Sequence, residues 1–263
     1  MKQHIRKSRR RLFSPKAWKI RLVFWAGAVA VGLVCVLFAE LADYANHLFL
    51  QISKQNAYLP LLLTPLALVT IVWVTKKFFP GSEGSGIPQT IASLDASDKP
   101  LILSLRIAVG KIGLTVAGLA SGASIGREGP SVHVGASIMF ALGRYVRFPP
   151  HYMERGLILA GGAAGIAAAF NTPLAGIVFA IEEMSRSFEQ RISGIVTTAV
   201  VFAGVTAIAV MGHYHYFGSS NASMPGLSLA WLAIPVCGIL GGLLGGIFAQ
   251  LLISSSRKIA PYA

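Results

Sequence analysis

A chain of 263 residues in which 54% of side chains are apolar and 13% charged lacks the polar surface of a water-soluble globule, where roughly a quarter of residues are charged. Ten residues are acidic, and from Ile192 to Ser256 there is no Asp, Glu, Lys or Arg at all. Such a composition suits lipid, and the net charge of +13 is placed accordingly: Lys2, Arg6, Lys7, Arg9, Arg10, Arg11, Lys16, Lys19 and Arg21 all precede the first apolar run, with no acid among them. In front of a membrane span, such an arm marks the cytoplasmic side and not a nucleic-acid contact. Cys35 and Cys237 both lie inside apolar runs, which suits packing and argues against a disulfide framework, a metal site or a cofactor.

In chain order, residues 1–21 form the basic arm, expected in the cytoplasm, and 22–253 form the membrane region. Residues 254–263 are a short tail or a truncation point. Leu22 to Ala42 is predicted as a retained first span, since no small-x-small cleavage site follows its long apolar core. Tyr58 to Thr75, interrupted by Pro65, is the second, and Lys76 and Lys77 return the chain to the basic side after an even number of crossings. Beyond this point the apolar segments shorten. Gly81 to Pro88 is a glycine-rich break, Leu101 to Ser121 a helix carrying Arg106 and Lys111, and Gly122 to Pro130 a second break. Pro130 to Leu142 is too short to cross alone, and Gly156 to Phe170 and Leu174 to Ser185 are separated by Asn171-Thr172-Pro173. Ile192 to Gly212 and Leu227 to Ile253 are the last long runs, joined by a polar loop holding His213 and His215, for which no further metal ligands converge. The expected architecture is all-α: one polytopic membrane helix bundle with broken, re-entrant helices.

Breaks inside a bilayer leave unpaired N–H and C=O groups, each costing several kcal/mol in hydrocarbon, so they persist where they line a cavity or a ligand. Gly84-Ser85-Gly86-Ile87-Pro88 and Gly126-Arg127-Glu128-Gly129-Pro130 both put proline where a new helix starts, a position at which its missing N–H is no loss. A helix starting in mid-membrane aims free N–H groups and the positive end of its dipole into the protein, which suits an anion. Glycines allow close approach, and Ser85 adds a donor without a charge, so an anion can be bound and released. Glu128 is an ionisable group within such a segment; at its helix start it can occupy the anion site itself, and on protonation swing away. Arg127 beside it reads as a salt-bridge partner to another part of the chain.

These two motifs, together with Ala168-Ala169-Phe170-Asn171-Thr172-Pro173-Leu174-Ala175-Gly176 and the run on to Glu182-Glu183-Met184, resemble the first half of the CLC family of chloride channels and proton/chloride exchangers, over about Leu22 to Ile253. The resemblance implies the first inverted-repeat half of a CLC-type fold and a role in chloride transport, with chloride and protons as the transported ions. It implies that Ser85 is the central anion-coordinating serine, with Gly86, Ile87 and Gly129 beside it at the helix starts. Glu128 is then the outer gate and a proton acceptor, and Glu183 the inner proton-transfer residue. Ser85 favours chloride, since nitrate-preferring members carry proline there, and Glu183 favours proton-coupled exchange over a passive channel. Without the resemblance, Glu182 and Glu183 read as a pair of surface acids at a helix end.

In the family a second half supplies a Gly-x-Phe-x-Pro motif and a tyrosine, and neither motif nor tyrosine site is matched before Ala263. The expectation is therefore a CLC-type transporter or part of one, a homodimer or a chain that associates with a missing second half, in a bilayer that is a bacterial inner membrane. The alternative is a truncated, non-transporting fragment or membrane interaction subunit. An enzyme is disfavoured, since no nucleophile-base pair, metal-ligand cluster or nucleotide loop is present in the sequence.

Overall fold

The computed structural model describes residues 15–144, 152–184, 190–212 and 229–259, which fall into two compact units, Met1–Tyr216 and Phe217–Ala263. The first unit holds α1 (Pro15–Gln55), α2 (Leu59–Phe78), α3 (Ile87–Asp95), α4 (Leu105–Ala120), α5 (Glu128–Gly143), α6 (Tyr152–Phe170), α7 (Pro173–Phe179) and α8 (Gln190–Met211). A 3-10 turn at Lys99–Leu101 leads into α4, and a π turn at Ala180–Met184 ends α7. The second unit holds a 3-10 turn at Leu229–Leu232 and the 27-residue helix α9 (Ala233–Ile259). There is no strand among the described residues. His213, His215 and the polar loop around them, and Ser185 to Glu189, lie outside the described residues.

Among the described residues, five stretches are long and apolar enough to cross a bilayer: Arg21–Gln55, Leu59–Phe78, Lys99–Ala120, Gly194–Met211 and Ala233–Ile259. Between them sit helices that cannot cross, since the 9 residues of α3 rise about 14 Å and the 16 of α5 about 24 Å, against a hydrocarbon core of roughly 30 Å. The chain is an all-α, polytopic membrane bundle with broken helices.

Two boundaries differ from the sequence expectation for identifiable reasons. The first helix runs for 41 residues, well past Ala42, because Glu40 and Asp43 end the apolar run but not the helix: no Gly or Pro follows before Asn56. It stops where the Asn56 Oδ1 accepts the Tyr58 N–H at 2.9 Å. Pro65 does not interrupt α2, which continues through it to Phe78.

The core of the first unit is α5 and α6 packed backbone to backbone, with α1 and α8 outside them. Gly135 and Gly161 face each other's carbonyl oxygens, and Gly165 faces the Ser131 carbonyl, so neither helix has room for a Cβ along this seam. Without a hydrophobic force between helices in lipid, such close contact is the main source of association. Val132, Ile158, Leu159, Ala160, Ala163, Ala199, Val200 and Ala203 fill the interior around the seam. Gly32 of α1 rests on the Ala203 carbonyl of α8, and Trp25 stacks on Phe202 with centroids 5.2 Å apart. This rigid centre carries α5, and so fixes where the second break opens.

Candidate functional site

The first break turns the chain between α2 and α3 through three positive-φ glycines, Gly81 (92°), Gly84 (68°) and Gly86 (109°). The turn is tied internally. Gly81 N–H donates to Glu83 Oε2 at 2.7 Å, and Gly86 N–H donates to Gln89 Oε1 at 2.9 Å, while Gln89 Nε2 donates back to the Glu83 carbonyl at 2.9 Å. Thr90 donates its hydroxyl to the Gly86 carbonyl at 2.8 Å and so closes the first turn of α3. From α4, Lys111 Nζ donates to the carbonyls of both Glu83 and Gly84 at 2.9 Å, and Arg106 holds the Phe78 carbonyl at the end of α2. Ser85, at the crest of this turn, is exposed, Ile87 is half-buried and Gly86 is buried. The amide of Gly86 is thus engaged within the turn, and its use to the site is its missing side chain.

The second break runs from Ser121 to Arg127 and is pinned to its surroundings at three points. Thr64 of α2 donates its hydroxyl to the Ser121 carbonyl at 2.6 Å; the Phe49 ring of α1 covers Gly122, whose φ is 87°; and Arg127 Nη1 reaches the Ala39 carbonyl and Asp43 Oδ1 of α1, both at 3.0 Å. The salt-bridge partner expected for Arg127 is therefore Asp43, 84 residues earlier in the chain. The Arg127 side chain is 13% exposed and that of Asp43 55%. Arg127→Ala should cost about 1.5–3 kcal/mol, the usual worth of charge-assisted hydrogen bonds, and Asp43→Ala less than about 1 kcal/mol, because its charge is screened by water. Thermal unfolding in detergent measures both, and equal losses would mean that the ion pair, not the Ala39 carbonyl, anchors the loop.

Helix α5 begins at Glu128, whose carboxylate folds back against Gly126. The two breaks meet. A Cβ on Gly129 would lie 2.7 Å from the Ser85 carbonyl oxygen and 3.3 Å from the Ser85 Cβ, and a Cβ on Gly86 would lie 2.7 Å from the Gly129 carbonyl oxygen and 2.8 Å from the His133 Cβ. Ser85, Gly86 and Gly129 are thus in contact, with Ile87 at the first position of α3 and Glu128 at the first of α5. Thr90 N–H already donates to the Gly86 carbonyl and Ser131 N–H to the Arg127 carbonyl, and Pro88 and Pro130, the latter third in α5, have no N–H, so the first-turn amides ahead of these bonds are those of Ile87 and Gln89 in α3 and of Glu128 and Gly129 in α5, set beside one exposed hydroxyl.

Glu183 is placed elsewhere, in the π turn that ends α7, where it and Glu182 are exposed between buried Ala180 and Met184. Helix α7 is set by Asn171, whose φ is 56°, and by the Thr172 N–H donating to the Ala167 carbonyl. Gly204 of α8 packs on Pro173, with 2.8 Å between its would-be Cβ and the Pro173 Cγ, and Met184 packs on Gly162. Among the described residues no group of three or more His, Cys, Asp or Glu is arranged to hold a metal ion. Sequence reasoning placed Lys111 in a helix but did not assign it to the site; a lone lysine in an apolar run was the available signal, since such residues seek a partner. Gln89, third in α3 and so able to reach back to the residue before the helix, was the other.

Helices that stop and restart inside a set of membrane-length helices, with two of their amino ends in contact, define an integral membrane protein of the broken-helix type. The family model described as voltage gated chloride channel matches residues 67–262, and the chain belongs to this CLC family. It is 31% identical over 250 residues to chloride channel protein CLC-d of Arabidopsis thaliana, covering 85% of this chain and 32% of that protein. It is 30% identical over 263 residues to the H(+)/Cl(−) exchange transporter ClcA of Salmonella schwarzengrund, covering 93% and 53%. The chain thus spans about half the length of one relative and a third of the other. The crystal structure of a slow cyanobacterial Cl−/H+ antiporter superposes with a TM-score of 0.73 at 26% identity, covering 91% of this chain and 58% of that one. A CLC-type fluoride/proton antiporter superposes at 0.76 with 23% identity, over 95% and 61%, a likeness of fold alone.

Proposed function

We propose that this chain contributes to proton-coupled chloride transport across a membrane, with the anion bound where the first turns of α3 and α5 meet. The observation that carries the reading is the contact of Ser85 and Gly86 with Gly129, which sets two helix amino ends side by side. Partial charges from N–H groups and the Ser85 hydroxyl hold an anion without the full countercharge that would trap it. Gly86 gives room, Ile87 and Gly129 give first-turn amides, and Glu128 supplies a tethered carboxylate that competes for the same ground. Protonation of Glu128 removes its charge and yields the ground to chloride, so one residue links the two ions. Glu183, exposed at the end of α7, exchanges protons with the side opposite Glu128. That the related ClcA is an H(+)/Cl(−) exchange transporter supports exchange over passive conduction.

The basic residues before α1 and the Lys76–Lys77 pair at the end of α2 favour a cytoplasmic amino terminus, in a bacterial inner membrane. The exposed apolar residues Leu174, Val178, Val201 and Val205 of α7 and α8 suit lipid or a second copy of the protein, and we take the assembly to be a homodimer.

Anion exchange through the protein in proteoliposomes tests the site. Ser85→Pro removes the hydroxyl and one backbone N–H, and a hydrogen bond to a charged group is worth about 1.5–3 kcal/mol, so the preference for chloride over nitrate should fall about tenfold. A chloride-to-nitrate flux ratio unchanged by Ser85→Pro places the ion elsewhere and ends this reading.

A further inference from the structure

The crest of the first break is exposed over three consecutive residues, Glu83, Gly84 and Ser85, between buried Ser82 and Gly86. Its backbone is already engaged: Lys111 takes the carbonyls of Glu83 and Gly84, and Gln89 shares that of Glu83 while accepting the Gly86 N–H. The Glu83 carboxylate is held differently. It folds back within the turn to accept the Gly81 N–H at 2.7 Å, and among the described residues it is in no salt bridge. A negative charge is thus fixed on the exposed crest that carries Ser85.

Such a charge works against an anion site, and how strongly it works depends on the anion. Glu83 and Ser85 are two residues apart, so their Cα atoms are separated by at most about 7.6 Å, and a carboxylate folded toward Gly81 lies roughly 10 Å from an ion at Ser85. The joined helix starts pose the opposite problem. The attraction of their amides scales with the charge of the ion, so it draws a dianion such as sulfate or hydrogen phosphate twice as strongly as chloride. The cost of leaving water grows as the square of that charge. Lowering the positive field therefore removes dianions first, while chloride is still held.

We propose that Glu83 sets the valence selectivity of the Ser85 turn: its fixed charge weakens the hold on singly charged anions a little and on doubly charged ones by the square of that factor. The inference rests on the Ser85 turn being the anion site, and it narrows the substrate class to monovalent anions. At roughly 10 Å and an effective dielectric of about 40, one charge changes the affinity for a monovalent anion about fourfold and for a dianion about sixteenfold. An ionic strength near 0.01 M, where the screening length is about 30 Å, leaves most of this effect in place.

The test is calorimetric titration of the full protein in detergent, at low ionic strength, with chloride, nitrate and sulfate, weak sulfate binding being read from its displacement of chloride. Glu83→Gln keeps an acceptor for the Gly81 N–H and removes the charge. It should tighten chloride and nitrate by one shared factor, about three- to fourfold, and sulfate by the square of it, about tenfold or more. Glu83→Ala removes the acceptor as well and should give the same shifts, because the charge and not the hydrogen bond acts on the ion. Ser85→Pro, by contrast, changes chloride relative to nitrate. Unchanged chloride affinity in Glu83→Gln, or sulfate gaining no more than chloride, overturns the proposal while the anion site stands. So does a Glu83→Ala protein that binds more weakly where Glu83→Gln binds as before, which makes Glu83 a brace of the turn and nothing more. No chloride binding by the unsubstituted protein overturns the site itself, and this role with it.

Discussion

Glu128→Gln should leave chloride flux running and abolish its coupling to protons. Glutamine has the shape of the protonated acid, so it keeps the side chain at the start of α5 but removes both the charge proposed to compete with chloride and the group proposed to take the proton. Removing a positioned proton-transfer group typically lowers the step it serves by about a hundredfold or more. In proteoliposomes with an imposed chloride gradient, proton movement should therefore fall to the level of protein-free vesicles while chloride movement persists. Glu183→Gln is the companion measurement. It should also remove proton movement, but because Glu183 lies in the π turn after α7 and not at the joined breaks, it leaves Glu128 in place as an anion competitor. Proton-coupled flux that survives Glu128→Gln would show that this carboxylate is not the shared element, and coupling retained in Glu183→Gln would return that residue to an ordinary exposed acid.

The largest effect on folding is expected from Gly161→Val. A Cβ at this position meets the Gly135 carbonyl oxygen head-on and lies 2.7 Å from the Gly135 carbonyl carbon and 2.8 Å from the Ala136 Cα. All three are backbone atoms of α5, so no rotamer change relieves the clash; α5 and α6 must separate. Overpacking of a tight core costs about 1–3 kcal/mol where side chains can adjust, and more where they cannot. Separation would also displace the start of α5 and with it Gly129 from Ser85. Gly161→Val should lose the monodisperse peak in detergent size exclusion, or lose anion binding if some protein survives. Gly113→Ala is the control, since nothing lies within 4 Å of a Cβ there and alanine gains about 1 kcal/mol of helix propensity. A well-behaved, anion-binding Gly161→Val would mean that the α5–α6 seam is looser than described.

Membrane character, the order of the helices and the position of both breaks are legible in the sequence, because hydropathy and Gly-Pro punctuation are local signals. Ser85 and Glu128 stand out from the chemistry of those breaks, and the family resemblance adds Gly86, Ile87 and Gly129. That the breaks touch was not legible, since contact between Gly86 and Gly129 depends on how α5 seats against the core. The same holds for Arg127 and Asp43, joined across 84 residues, and for Lys111, whose helix is evident but whose direction is not. The length of α1 was underestimated because hydropathy sees the charges at Glu40 and Asp43 as an end, whereas backbone hydrogen bonding continues through them. The π turn around Glu183 has no local signature, and its place after a seven-residue helix reflects packing of Met184 on Gly162.

The three anchors on the second break bear on speed. With Ser121 held by Thr64, Gly122 covered by Phe49 and Arg127 bound to α1, the backbone that carries Glu128 is mounted on two long helices and does not have to travel. The moving part of the proposed gate is then a few side-chain torsions of one residue. Such rotations take picoseconds to nanoseconds, while shifts of whole helices take microseconds to milliseconds. On the proposed function, a gate built this way adds little delay of its own, so turnover would be governed by how often a proton reaches Glu128 and how long an anion stays beside Ser85, and the cycle's clock would be set by chemistry at the ion and not by the inertia of the scaffold.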